Sequence, residues 1–180
     1  MPIEIEKKYR LTPERLEPLR RRLKELGAEG QGSVEFEENV IYTGPGLDPA
    51  RRVLRLRRKG ERALFTFKER DRSDSSIKRQ REEETEVADA GALASILEAL
   101  GYRPALVYEK RRETWRVADA EVVIDELPFG LFAEIEGDEA RITEVEKLLR
   151  LDGAEAEHAS YPELTLRHGK QNGDTFEARF

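Results

Sequence analysis

Ile3-Glu4-Ile5-Glu6-Lys7-Lys8-Tyr9-Arg10-Leu11 is the stretch from which the fold prediction starts. Its odd-numbered positions are apolar or aromatic except for Lys7, and its even-numbered positions are all charged. This alternation has the period of a β-strand, in which successive side chains point to opposite faces of the sheet. The stretch therefore predicts a strand that buries one face and carries Glu4, Glu6 and Lys8 on the other.

Helical spacing follows directly after this strand. Thr12 and Pro13 suit an N-cap and a first helical residue, leucines recur at helical spacing, and Gly27 is a natural stop. The same kinds of signal predict further helices at residues 89–101 and 138–151, with a short helical candidate at 162–168.

The rest of the chain is rich in strand-like runs that are separated by turn residues. These runs lie at residues 34–43, 52–58, 63–69, 79–87, 106–117, 121–126 and 131–136. Because alternating βαβ units are absent, the order predicts an antiparallel α+β fold whose sheet curls into a barrel with the helices outside. We expect one domain over residues 1–180, and the polar loop 71–76 is a candidate lid.

Charged side chains are much more abundant than in an average globular protein. They make up 39% of the 180 residues, against about 25% in typical domains. The net charge of −6 combines 38 acidic with 32 basic residues, so non-specific nucleic-acid binding is not expected. The chain has no cysteine, which excludes disulfides and thiolate metal sites. Neither a membrane span nor a glycine-rich phosphate loop is found, and we expect a cytoplasmic protein without a membrane partner.

The charged faces of the predicted strands suggest where the excess charge lies. Alternating cations occur at Arg55/Arg57 and Lys110/Arg112, and alternating carboxylates at Glu4/Glu6 and Glu134/Glu136; Lys68 and Asp125 have the same kind of position. If the apolar faces pack under the helices, a closed barrel gathers these charges in its lumen. Ordinary solvent-facing residues of an open sheet would give the same pattern. Spacing alone therefore leaves a functional ionic site and a plain charged surface equally open.

Several short motifs resemble one known family, in the family's order. Glu4-Ile5-Glu6-Lys7-Lys8 matches its ExExK motif, and Ser160-Tyr161-Pro162-Glu163-Leu164 resembles its C-terminal segment. Between them lie Leu54-Arg55-Leu56-Arg57, Phe65-Thr66-Phe67-Lys68, Lys110-Arg111-Arg112, Val123-Ile124-Asp125 and Phe132-Ala133-Glu134-Ile135-Glu136. The chain thus resembles the CYTH superfamily, also called triphosphate tunnel metalloenzymes. The resemblance implies an eight-stranded antiparallel tunnel with a triphosphate and divalent cations inside.

The resemblance also implies roles for particular residues. It implies that the triphosphate is bound by Lys8, Arg55, Arg57, Lys68, Arg81, Lys110 and Arg112. It implies Mg²⁺ or Mn²⁺ ligands among Glu4, Glu6, Glu83, Asp125, Glu134 and Glu136, with Glu4, Glu6 and Lys8 as the catalytic residues. Arg81 and Glu83 are the predicted inward residues of strand 79–87, although a one-residue slip would select Glu82 and Glu84 instead.

Three functions are compatible with such a site. The favoured one is a metal-dependent hydrolase of inorganic triphosphate or a similar small triphosphate, because it needs only the charges of the tunnel. A class IV adenylyl cyclase would also need an adenine pocket, which the sequence does not identify. A non-catalytic polyphosphate- or nucleotide-binding module would not need so many carboxylates. The expected partner is a small-molecule triphosphate, and a homodimer is left open.

Overall fold

The computed structural model describes residues 3–30, 33–70 and 76–180. Its long strands follow the predicted runs closely, and three short strands accompany them. The strands are β1 (Ile3–Leu11), β2 (Glu29–Gly30), β3 (Glu35–Thr43), β4 (Arg52–Lys59), β5 (Arg62–Arg70), β6 (Ile77–Val87), β7 (Arg103–Val117), β8 (Ala120–Leu127), β9 (Gly130–Glu136), β10 (Lys170–Asn172) and β11 (Thr175–Ala178).

Three helices begin where the capping signals indicate, and the fourth begins at Tyr161, one residue before its predicted range. The helices are α1 (Pro13–Glu25), α2 (Ala90–Ala99), α3 (Glu139–Leu148) and α4 (Tyr161–His168). Asp89 and Asp138 accept hydrogen bonds from the first turns of α2 and α3, which satisfies backbone N–H groups that have no helical partner. Ser160 and Glu163 form a complete capping box at the start of α4.

Eight of the strands close into a barrel. They pair in the ring order β7-β3-β4-β5-β6-β1-β9-β8, and β8 returns to β7. All pairs in this ring are antiparallel. The predicted α+β barrel class is therefore confirmed. β1 pairs with both β6 and β9. Its charged residues Glu4, Glu6 and Lys8 line the interior of the ring.

Three apolar clusters hold the barrel in place. One lies between the outer faces of β1, β7, β8 and β9 and the helices α1 and α3, and Leu23, Val122 and Ile142 are fully buried in it. A second lies under α2 on the outer face of β3, β4 and β5, around Leu56. Burial of each such side chain contributes roughly 1.5–3 kcal/mol.

The third cluster fills one end of the barrel from within, and we call it the apolar plug. It consists of the lumen-facing residues Ile41, Val53, Leu106, Tyr108, Leu127 and Phe132 together with Ala159, Tyr161, Leu164 and Ala178. Helix α4 thus covers this end of the barrel, whereas α1, α2 and α3 pack on the outside. The opposite end, where Ile3, Glu121 and Glu136 lie, is the mouth.

The structure adds strands that the sequence patterns did not predict. β10 and β11 form a C-terminal hairpin, and β11 lies parallel to β7 through Leu106 to Tyr108. The two-residue β2 pairs with β7 near Trp115. The candidate lid at 71–76 lies outside the described residues except for its last position. In the described ranges no helix is long and apolar enough to cross a membrane.

Candidate active site

A cavity of about 530 Å³ occupies the barrel lumen between the apolar plug and the mouth. Inward-facing residues of the barrel strands line it, because every second residue of a barrel strand points inward. Among the described residues that line it, cations and carboxylates occur in equal numbers: Lys8, Arg55, Arg57, Lys68, Arg70, Lys78, Lys110 and Arg112, and Glu4, Glu6, Glu82, Glu83, Glu84, Glu121, Glu134 and Glu136. The lumen is therefore ionic and close to neutral as a whole.

Asp125 is the centre of the deepest ionic cluster. Its side chain is fully buried, and Arg112 binds it through Nε and Nη2 at 2.7 and 2.5 Å. Lys110 Nζ lies 3.4 Å from Asp125 Oδ2, and the Tyr161 hydroxyl donates to the same oxygen at 2.8 Å. Burial alone would raise the pKa of Asp125, but Arg112 and Lys110 hold it well below its usual range. These neighbours therefore favour the ionised form of Asp125.

Lys8 joins this cluster to the strands β1 and β9. Its ammonium group lies 3.2 Å from Glu134 Oε1 and donates to the backbone oxygen of Ala159 at 3.3 Å. It also lies 3.7 Å from the centre of the Tyr161 ring, within the range of a cation–π interaction. Glu134 accepts a second bond from Arg112 at 2.8 Å. Burial opposes ionisation of Glu134, yet Lys8 and Arg112 lower its pKa to about 2.

Glu37 is a fully buried carboxylate that the sequence analysis did not single out. Its Oε2 lies 3.3 Å from Lys110 Nζ and 3.5 Å from Arg57 Nε. Burial opposes its ionisation, but Lys110 and Arg57 lower its pKa to about 2. Lys110 is shifted towards its neutral form, because burial and the neighbouring Arg112 lower its pKa to about 8.

A second cluster surrounds Lys68 on β5. Lys68 Nζ lies 2.7 Å from Glu4 Oε2 and 2.5 Å from Glu82 Oε2, and Gln80 donates to the same Glu4 oxygen at 2.7 Å. Arg55 lies 3.5 Å from Glu84, which also accepts a hydrogen bond from the hydroxyl of Thr66. Cations and carboxylates therefore alternate around this wall of the lumen.

A row of carboxylates with few cationic partners lies across β1, β9 and β8. Glu6 stands directly opposite Glu136, and Glu136 stands directly opposite Glu121. Like charges at directly opposed positions destabilise a sheet. Burial and then Glu4 and Glu121 raise the pKa of Glu136 to about 7, and burial and then Glu134 raise that of Glu6. The nearest cation of Glu6 across β6 is Lys78, at 3.9 Å.

These undercompensated carboxylates fit a hard divalent cation by their chemistry. Mg²⁺ and Mn²⁺ prefer oxygen donors, and the chain has no cysteine to favour a softer metal. Burial also raises the pKa of Glu4, so Glu4, Glu6 and Glu136 all gain from an added positive charge. Within the described ranges no three acidic or imidazole groups are already converged on one point. Glu4, for example, is held by Lys68.

The predicted inward register of β6 is wrong by one residue. Lys68 pairs directly with Glu82 and Thr66 with Glu84, and directly opposed residues share a face. Arg81 therefore points outward and is exposed, and Glu83 shares the outward face of Phe67, although it borders the cavity. The inward residues are Gln80, Glu82 and Glu84. Nearly every residue of this strand is charged, so hydrophobicity could not select the face, and the pairing with β5 decides it.

The other predicted site residues meet in the lumen. The structure brings together Glu4, Glu6, Lys8, Arg55, Arg57, Lys68, Lys110, Arg112, Asp125, Glu134 and Glu136. Asp125 lies among cations rather than in the carboxylate row. The sequence patterns did not lead to a predicted role for Glu37 and Asn39. Their alternation with the apolar Val40 and Tyr42 nevertheless indicates that they share the inward face of β3. Nothing local in the sequence signals the position of Tyr161, because it depends on where α4 packs.

Comparisons with known proteins agree with this architecture. The sequence matches the model of the CYTH domain over residues 2–164. A protein of Methanocaldococcus jannaschii, MJ0240, provisionally named an adenylate cyclase, is 28% identical over 118 residues, which are 64% of this chain and 67% of that protein.

Solved structures share the same fold. The PH1012 protein of Pyrococcus horikoshii OT3 superposes with a TM-score of 0.77 at 26% identity, over 89% of this chain and 98% of that one. HpAC1 from Hippeastrum, provisionally an adenylyl cyclase and described as revealing a dominant triphosphatase activity, has a TM-score of 0.71 at 19% identity. The superposition covers 96% of this chain and 98% of the HpAC1 chain. At this identity the likeness concerns the fold alone. The family match spans nearly the whole barrel, and this chain belongs to the CYTH domain family.

Proposed function

We propose that the protein is a divalent-metal-dependent hydrolase of a small triphosphate, such as inorganic triphosphate. One observation supports this most strongly: paired cations and undercompensated carboxylates share one lumen. A triphosphate carries about four negative charges near neutral pH, and arginine and lysine are the side chains that recognise phosphate oxygens. A lumen that is close to neutral would bind it more tightly when positive charge is added.

The cationic residues would bind and orient the phosphates. Arg55 and Arg57 face the lumen from β4, Lys68 from β5 and Arg112 from β7. Lys8 and Lys110 are the most deeply buried of these cations. The two lumen-facing arginines of β4, Arg55 and Arg57, each have a buried Nε without a hydrogen-bond partner among the described residues; Arg57 Nε lies 3.5 Å from Glu37 Oε2. Such donors are available to a phosphate oxygen. Burial of the cluster keeps bulk water from competing for these contacts and strengthens them.

Glu4, Glu6 and Glu136 would hold the metal, with Glu134 beside them. A bound divalent cation supplies neutralisation of charge on the phosphoryl oxygens and can lower the pKa of a bound water. The reaction is in-line attack of water on a terminal phosphorus, with cleavage of its bond to the bridging oxygen. Lys8 and Arg112 would stabilise the negative charge that develops on the leaving pyrophosphate.

An adenylyl cyclase is the second candidate, and the name of the M. jannaschii relative favours it. A cyclase must hold an adenine base near the phosphates. Among the described lining residues the aromatic side chains are Tyr108 and Tyr161, and both belong to the apolar plug. Aromatic side chains at the mouth would be the usual platform for a base, so this part of the chain gives the cyclase less support than the hydrolase.

The assay that separates these functions uses purified protein with Mg²⁺ or Mn²⁺. Inorganic triphosphate, thiamine triphosphate and ATP are offered in turn, and the products are resolved by chromatography. Release of orthophosphate is expected. Cyclic AMP with pyrophosphate from ATP would show a cyclase, and tight triphosphate binding without turnover would show a binding module.

Variants of the carboxylate row test the proposed metal site. Glu6→Gln and Glu136→Gln each remove one negative charge with little change of shape, and we expect a loss of metal-dependent turnover of at least tenfold. Glu126→Gln is the matched control, because Glu126 lies on the outward face of β8 and pairs with Arg111. Normal activity in both lumen variants would refute the metal site.

A further inference from the structure

Asp125 differs from the other lumen carboxylates in that four protein donors surround its two oxygens. A carboxylate has about four lone-pair sites. Arg112 donates to both oxygens, and the Tyr161 hydroxyl donates to Oδ2, where Lys110 Nζ also lies at 3.4 Å. All four donors are protein groups. Three of them approach Oδ2, so a metal ion could bind this oxygen only if a donor were displaced. Oδ1 is held by Arg112 Nε, and the positive charges of Arg112 and Lys110 disfavour a second cation at this carboxylate.

Tyr161 is the one member of this cluster that a helix contributes. Its hydroxyl is fixed on Asp125 at 2.8 Å, while its ring lies under the ammonium group of Lys8 at 3.7 Å. Ala159, two residues before Tyr161, accepts a hydrogen bond from Lys8 through its backbone oxygen. The start of α4 therefore holds Lys8 directly and holds Arg112 and Lys110 through Asp125.

The position of Tyr161 is itself well fixed. The capping box of Ser160 and Glu163 defines the first turn of α4, and Leu164, which is 1% exposed, anchors the helix in the apolar plug. Tyr161 also packs edge-on against Phe132 with ring centres 5.5 Å apart. A side chain that is fixed in this way can impose geometry on its neighbours.

We propose that Tyr161 and Asp125 are positioning residues of the phosphate-binding cations, and that Asp125 is not a metal ligand. This inference rests on the proposed triphosphate site. The Tyr161 hydroxyl orients the Asp125 carboxylate, which fixes the guanidinium of Arg112 and the ammonium of Lys110, and the Tyr161 ring fixes Lys8. The proposed metal ligands are then Glu4, Glu6 and Glu136.

Two binding titrations separate positioning from metal ligation. Calorimetry measures inorganic triphosphate binding with EDTA present, and a separate titration measures Mn²⁺ binding without triphosphate. Tyr161→Phe keeps the ring and removes only the hydroxyl. We expect it to weaken triphosphate binding about 3- to 10-fold, because a hydrogen bond to a charged group is lost, and to leave the Mn²⁺ affinity within twofold. Asp125→Asn should show the same pattern with a larger loss.

Two further variants serve as controls for these titrations. Tyr102→Phe removes a hydroxyl that donates to the Pro45 backbone oxygen far from the lumen, and neither affinity should change. Glu6→Gln should lose Mn²⁺ affinity. Tyr161→Phe retains the packing of α4, so it carries the test alone if Asp125→Asn fails to fold.

Several results would overturn the proposal. A tenfold loss of Mn²⁺ affinity in Tyr161→Phe or Asp125→Asn would make Asp125 a metal ligand. Unchanged triphosphate affinity in Tyr161→Phe would contradict the positioning role. The absence of triphosphate binding by the wild-type protein in EDTA would contradict it as well. The proposed function is judged separately by turnover with Mg²⁺, so a failure of one does not imply a failure of the other.

Discussion

Lys110 carries its ammonium group in surroundings that favour the neutral form. It is 1% exposed, and burial and then Arg112 lower its pKa to about 8. A bound triphosphate favours the protonated form, so above pH 8 the free protein must take up a proton to bind it. The contribution of Lys110 to binding is therefore complete below pH 8 and is lost as the pH rises through this value.

Comparison with Lys110→Met measures this contribution. The ratio of the wild-type to the variant affinity for inorganic triphosphate should be constant below pH 8 and should then fall by up to about tenfold per pH unit. Calorimetric titrations from pH 6.5 to 9.5 give the ratio, in which ionisation of the ligand itself cancels. A ratio that does not change with pH would contradict the lowered pKa.

Single residues of the site could be predicted from the sequence where apolar and charged positions alternate. Arg55 and Glu134 lie between apolar neighbours, and Arg57 is two residues after Arg55, so their inward face follows from the period of the strand. In β6 only the contacts with Lys68 and Thr66 select Glu82 and Glu84. Tyr161 could not be predicted, because its contact with Asp125 joins residues far apart in the chain.

Among the elements, α4 connects stability to the site. Its inner side packs into the apolar plug through Leu164, which is 1% exposed, whereas Leu166 is 52% exposed on the same helix. Leu164→Ala should lower the free energy of unfolding by about 2–5 kcal/mol, because it leaves a cavity in the plug. Leu166→Ala should change it by less than about 0.5 kcal/mol. Urea denaturation measures both, and equal losses would mean that α4 does not anchor the plug.

The long elements were predictable because each carries a periodic pattern with capping or turn residues at its ends. The hairpin of β10 and β11 is different. Its strands are short and mostly polar, and their place in the sheet depends on the free edge of β7 beside Leu106 to Tyr108. No pattern within residues 170–178 indicates this edge, so the hairpin follows only from tertiary contacts.

At the scale of the whole molecule, the near-neutral lumen should couple the two proposed ligands. Triphosphate adds negative charge and a divalent cation adds positive charge, so each should strengthen the binding of the other. A ligand present at about 100 times its Kd stabilises a protein by about 2.7 kcal/mol, which corresponds to a rise in Tm of roughly 5–10 °C for a chain of this size.

Thermal denaturation measures this coupling without turnover when a slowly hydrolysed triphosphate analogue is used. The analogue and Mg²⁺ together should raise Tm by more than the sum of their separate shifts. Glu6→Gln should reduce this excess, while Glu126→Gln should retain it. Strictly additive shifts in the wild-type protein would show that the two ligands bind independently.

The direct opposition of Glu6 and Glu136 has a consequence for how the chain assembles. These residues come from strands near the beginning and near the end of the family-matched span, and they meet only when β1 and β9 join. Closure of the barrel therefore brings two like charges together. A cation bound between them would oppose reopening along this seam. With a metal bound there as proposed, the chelator-treated protein would be the form whose barrel opens most easily, which matters for its purification and storage.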